Sequence, residues 1–146
     1  MKESKELAQI FPVIIDVIKK NSSNMMWCDK NKLTHTDFRI LYQLYMADGK
    51  IVMKDLASRL GVTGGTLTTN IKRVIDQKYC TREKSQEDSR KTIICITTKG
   101  KKLLEKEKEN LEKNLENLFS KMSQKERKTI LTAYKSIFQI LKKFQG

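Results

Sequence analysis

One proline, Pro12, and six glycines in 146 residues leave little to interrupt helix over most of the chain. The three cysteines, Cys28, Cys80 and Cys95, are odd in number and show no C-x-x-C spacing. That pattern argues against a disulfide framework and for a reducing compartment. A single histidine, His35, leaves too few His and Cys ligands at close spacing for a zinc site. It also leaves nothing from which to assemble a Ser/His/Asp or Cys/His catalytic set, and no paired-carboxylate motif appears. The expectation is therefore no enzyme, no metal and no cofactor. No run approaches the ~20 apolar residues that span a bilayer. The opening Met1-Lys2-Glu3-Ser4-Lys5-Glu6 mixes both charges and leads to no signal-peptide cleavage pattern, so the cytoplasm is the expected location.

Apolar residues are also scarce, at 38% with Gly left out of the count, below the ~45–50% of ordinary soluble domains even allowing for that omission. Such a chain suits extended helices that finish burying their surface against another subunit. What the sequence has in excess is positive charge: 30 Lys and Arg against 17 Asp and Glu, a net +13. The excess lies almost equally in residues 32–100 and 101–146, while residues 1–31 are nearly neutral. This balance suits a polyanion, either nucleic acid or an anionic membrane surface, and charge alone does not choose between them.

Periodicity divides the chain. Leu7, Ile10, Phe11, Ile14, Val17 and Ile18 fall on a 3.6-residue stripe and predict a first helix, kinked at Pro12 or starting near it. Thr34 to Asp37 has the form of a capping box opening a second helix that stops at Asp48-Gly49. Ile51-Val52 is a very short strand candidate. A third helix, Lys54 to Leu60, turns Leu56, Ala57 and Leu60 inward and ends at Gly61. Thr63 caps a fourth, whose apolar face is Leu67, Ile71, Val74 and Ile75. Tyr79–Lys84 and Lys91–Thr97 alternate as a hairpin around the polar tip Ser85–Arg90. A Lys/Glu/Leu-rich helix follows, with Leu104, Leu111, Leu115, Leu118 and Met122 on one stripe. Ser123 and Glu126 open a last helix striped by Ile130, Tyr134, Ile137, Leu141 and Phe144. The class is mainly α with a small β-hairpin wing. Residues 1–31 and 101–146 are expected to be dimerisation helices flanking a winged helix-turn-helix at 32–100.

The third and fourth helices have helix-turn-helix proportions, and such a unit inserts its second helix in the major groove of DNA. Thr66, Thr68 and Thr69 can meet bases or phosphates there. Gly64 and Gly65 allow the helix start to approach a phosphate, and Lys72 and Arg73 add charge one to two turns on. At the hairpin tip, Asp88 lies two residues from Arg90. A carboxylate so placed can hold a guanidinium for the minor groove. The plainer readings are a flexible turn feeding a surface helix, and a solvated loop. Met25, Met26, Trp27 and Cys28 follow the first helix, and Phe38, Tyr42 and Tyr45 lie on the second. A small apolar or aromatic effector is one use of the cluster Met25, Met26, Trp27, Phe38, Tyr42 and Tyr45; core filling is the other.

The run Asp55-Leu56-Ala57 through Leu60-Gly61-Val62-Thr63, then Thr66-Leu67-Thr68, Asp88-Ser89-Arg90 and Ile96-Thr97-Thr98-Lys99-Gly100 resembles the MarR family of bacterial regulators. The resemblance covers residues 33–104 in motif detail. It implies a homodimer with its first, fifth and sixth helices intertwined, bound to a palindromic double-stranded DNA operator. The role it implies is usually repression, often released or tightened by a small ligand. Carried over by position, Thr63, Gly64, Gly65, Thr66, Thr68, Thr69, Lys72 and Arg73 belong to the recognition helix. Arg90 is the wing arginine, oriented by Asp88, with Lys91 beside it. The family often has a glycine just before the first wing strand, where this chain has Gln77-Lys78-Tyr79, which puts the exit of the fourth helix in question. Gly64-Gly65 also stands where many members have bulkier polar residues. The competing function is a winged-helix protein–protein module or a sequence-blind DNA-coating protein, which no enriched palindrome would accompany. A membrane partner is disfavoured because the terminal stripes better suit a dimer core.

Overall fold

The computed structural model describes residues 1–21 and 33–144. The described elements are α1 (Lys2–Asn21), α2 (His35–Met46), β1 (Lys50–Val52), α3 (Met53–Leu60) and α4 (Gly64–Asp76). The order continues β2 (Cys80–Lys84), β3 (Thr92–Ile96), α5 (Thr98–Ser120) and α6 (Gln124–Leu141), the last running into a 3₁₀ turn, Lys142–Phe144. The mainly helical class with a small hairpin sheet is the one the sequence predicts. The chain forms two compact units, Met26–Lys108 and Met1–Met25 with Glu109–Gly146.

In the Met26–Lys108 unit the strands form one antiparallel sheet ordered β1-β3-β2. Ile94 on β3 faces Ile51 on one side and Arg82 on the other. Its alternation points Ile94 and Ile96 into the core. There they join Phe38, Ile40, Leu41 and Leu44 of α2, Leu56 and Leu60 of α3, and Leu67, Ile71 and Val74 of α4.

Local chemistry sets the helix ends. At α2 the Thr34 hydroxyl accepts from the Asp37 N–H at 3.3 Å while the Asp37 carboxylate accepts from the Thr34 N–H at 2.7 Å. Gly61 closes α3 with φ of 67°, in the left-handed region where a side chain is strained. Thr63 then caps α4, accepting from the Thr66 N–H at 3.2 Å.

The exit of α4, left in question by the sequence, follows the same geometry without a glycine. Lys78 adopts φ of 63°. Its N–H donates to the Ile75 carbonyl at 2.7 Å and that of Tyr79 to Val74 at 3.0 Å, the paired bonds of a Schellman turn. A non-glycine residue there costs about 1–2 kcal/mol, partly offset because glycine loses about 0.5–1 kcal/mol more chain entropy. Lys78→Gly is accordingly expected to stabilise this unit by about 0.5–1 kcal/mol, read as a raised thermal midpoint. An unchanged or lowered midpoint contradicts that reading of the turn.

In the other unit, α1 begins at Lys2, so Pro12 is interior and forfeits one backbone bond. The α1 stripe Leu7, Ile10, Phe11, Ile14 and Val17 is exposed, and so are Tyr134, Ile137, Leu141 and Phe144 at the end of the chain. Ser123 and Glu126 form the capping box that starts α6.

Candidate nucleic-acid interface

Leu67, Ile71 and Val74 have no exposed surface and fix which side of α4 faces the core. Gly64, Gly65, Thr66, Thr68, Thr69 and Lys72 all lie exposed on the remainder. A Cβ at Gly64 or Gly65 would meet nothing within 4 Å, and neither takes a left-handed φ. The fold therefore makes no demand for glycine at the start of α4. Yet glycine weakens a helix by up to about 1 kcal/mol relative to alanine. The threonine hydroxyls are bound locally. Thr68 donates to the Gly64 carbonyl at 2.8 Å, Thr69 to that of Gly65 at 3.3 Å, and Thr63 and Thr66 share a bond of 2.9 Å.

Arg73, grouped with these residues in the sequence, has another engagement. Its Nε lies 2.9 Å from Oδ2 of Asp37, a side chain with no exposed surface, while Arg73 keeps 45% of its own. The same Asp37 oxygen accepts the capping bond of α2. The ion pair thus ties the middle of α4 to the start of α2. In the sequence, Asp37 reads as a cap only; its second role depends on a partner 36 positions away.

The hairpin tip is closed by the Ser85 N–H to the Lys91 carbonyl at 3.0 Å and the Lys91 N–H to that of Asp88 at 2.9 Å. Asp88 Oδ1 accepts from the Arg90 backbone N–H at 3.1 Å and from its Nε at 3.0 Å, and Oδ2 accepts from the guanidinium at 3.4 Å. The arginine itself remains 90% exposed. It is a presented cation whose position is restricted by a clasp at its base. The Arg90 side-chain and backbone bonds hold the Asp88 carboxyl below its ordinary pKa. A lowered carboxyl pKa means the clasp persists at neutral pH and loosens only as pH falls into the acid range. Lys91 is exposed beside it. Arg82 and Lys84 are exposed at alternate positions of β2. Neither stands out in the sequence, although basic residues two apart on a strand share one face.

The Ile96-Thr97-Thr98-Lys99-Gly100 motif joins the wing to α5. The Thr97 N–H donates to the Tyr79 carbonyl at 3.0 Å and its hydroxyl to that of Lys78 at 2.8 Å, while accepting from the Gly100 N–H at 3.1 Å. Lys99 lies 4.5 Å above the Tyr79 ring and donates to the Gln77 carbonyl at 2.8 Å. Its charge serves the end of α4.

Of the suggested effector cluster, Met25, Met26 and Trp27 lie outside the described residues, as does Cys28. Phe38 is wholly inside the core, the role that core filling gives it, whereas Tyr42 and Tyr45 are about half exposed. Burial pushes the Cys80 thiol up to about 12. Burial, and then a bond to Glu83, also raises that of Cys95. Neither offers a thiolate at neutral pH. Among the described residues no helix is long and apolar enough to cross a membrane.

Residues 22–107 match the family model described as transcriptional regulator SarA/Rot. The chain is 33% identical over 90 residues to the HTH-type transcriptional regulator SarZ of Staphylococcus saprophyticus, a match covering 62% of this chain and 59% of that protein. It thus spans about three-fifths of the length of that curated relative. The crystal structure of the transcriptional regulator Tm0710 from Thermotoga maritima superposes with a TM-score of 0.70 at 25% identity, over 95% of this chain and 96% of that one. Streptococcus pneumoniae FabT, crystallised in complex with DNA, has the same fold at 18% identity, with a TM-score of 0.71 over 97% and 99% of the two chains.

Proposed function

The chain belongs to the SarA/Rot family of transcriptional regulators, a MarR-like winged-helix family and not one of enzymes, and from that premise we propose that it regulates transcription by binding double-stranded DNA in a sequence-specific manner. Helix α4 lies in the major groove, and the wing tip brings Arg90 to the adjacent minor groove. The observation that carries the reading is a set of exposed groups presented by one unit, Met26–Lys108. It combines an α4 face with small side chains, the exposed Lys72 and an arginine clasped yet 90% exposed. The DNA in the FabT crystal is consistent with this use of the fold.

The exposed apolar residues of α1 and α6 support a homodimer, since a large open apolar face marks an interaction surface. Two subunits then meet a two-fold symmetric operator, and the protein acts in the cytoplasm, on the nucleoid, as a repressor. DNA titrations across a range of salt test the reading. Arg90→Ala is expected to weaken binding about tenfold and to relax preference at an A·T-rich flank. Lys72→Ala is expected to weaken all sequences alike and to reduce the salt slope by about 1. Wild-type curves for both variants would remove these contacts.

A further inference from the structure

Two threonines of α4, Thr68 and Thr69, have already bound their hydroxyl protons. Thr68 and Thr69 each donate to the carbonyl one turn back, and the Thr66 hydroxyl is shared with that of Thr63. A threonine held this way offers a groove its methyl group and its oxygen lone pairs. Residues 64–69 include no arginine, lysine, asparagine or glutamine. The side chains that pair bidentately with guanine or adenine are therefore missing from the part of the helix nearest the base edges. Gly64 and Gly65 add no bulk, and open space surrounds both. A backbone so bare can come close enough for a short side chain to touch the groove floor.

Resting on the DNA-binding reading above, we propose that Thr68 and Thr69 read thymine by contact between their methyl groups and the thymine 5-methyl, and not by donated hydrogen bonds. The only major-groove feature that is apolar is that methyl group, so a surface of methyls selects for it. The operator half-site then carries thymines under the start of α4. Sequence preference under the start of α4 comes from apolar contact with these, and Lys72 adds charge further along.

The test uses the full chain and the duplex that it enriches from random DNA. That duplex is synthesised again with uracil replacing thymine at single positions of each half-site. Uracil removes the methyl and keeps every hydrogen-bonding group. Loss of one buried methyl is expected to weaken binding about fourfold at each contacted position, the equivalent of ~0.8 kcal/mol. The double variant T68S/T69S keeps both hydroxyls and loses both methyls, and it is expected to bind thymine and uracil duplexes equally. Equal wild-type affinity for the two duplexes, with sequence preference intact, overturns the methyl assignment and leaves the DNA-binding reading standing. A thymine preference that survives in T68S/T69S overturns the choice of residues. If random DNA yields no enriched sequence, the parent reading falls and this inference with it.

Discussion

Arg73→Ala is expected to destabilise the Met26–Lys108 unit by about 2–4 kcal/mol, because it leaves the buried Asp37 carboxylate without its cation. Removing one member of a fully buried pair costs about 3–5 kcal/mol, and the 45% exposure of Arg73 moves the expectation lower. Thr34 still donates to Asp37 in the variant, so the α2 cap survives while its tie to α4 is lost. Arg73→Lys restores a charge without the planar donor geometry and is expected to recover only part of the loss. Urea unfolding at fixed protein concentration reads the effect. Lys72→Ala, one residue earlier and exposed, is the comparison and is expected within about 0.5 kcal/mol of wild type. The two neighbours are thus expected to separate, Lys72→Ala lowering DNA affinity and Arg73→Ala lowering stability. Equal stabilities for the two variants would return Arg73 to the DNA face.

A comparable loss, about 2–4 kcal/mol, is expected for Gly100→Ala. An added Cβ would collide with the Tyr79 carbonyl oxygen and lie 2.7 Å from Cγ1 of Ile96. The carbonyl cannot retreat freely, because it accepts the Thr97 N–H at 3.0 Å and the same turn binds the Thr97 hydroxyl. Helix α5 must shift instead, and alanine's better helix propensity, worth up to about 1 kcal/mol, does not offset that. Gly64→Ala and Gly65→Ala run the other way. Nothing lies within 4 Å of either added carbon, so both are expected to hold or raise the thermal midpoint while lowering DNA affinity. A Gly100→Ala midpoint equal to wild type would show that the wing and α5 are less closely fitted than these distances imply.

Much of this fold was legible because its signals are local. Leu67, Ile71 and Val74 recur at helical spacing, and Thr34 with Asp37 and Ser123 with Glu126 announce two helix starts within four residues. Asp88 and Arg90, two positions apart, also form the clasp their spacing suggests. The sequence was less informative wherever the partner was distant. The Asp37–Arg73 pair spans 36 positions, and Gly100 is required by a carbonyl 21 positions earlier. Lys78 was hard to read for a different reason, since it holds a left-handed turn by backbone bonds that any residue provides. Thr68 and Thr69 of α4 look like donors in the sequence. Only the bonds back to Gly64 and Gly65 show that their protons are taken. The stripes of α1 and α6 were plain as periodicity, but the surface that would cover them in the homodimer reading lies in a second chain.

Selection of random duplex DNA with the purified full chain, followed by sequencing of the retained pool, bears most directly on the proposed function. The expected pool converges on an inverted repeat with its half-sites about one helical turn apart, or a multiple of it. The flanks that the proposed wing contact assigns to Arg90 are expected to be A·T-rich. A pool as random after selection as before, from a protein that retards every duplex alike, would mean that the basic surface coats DNA without reading it.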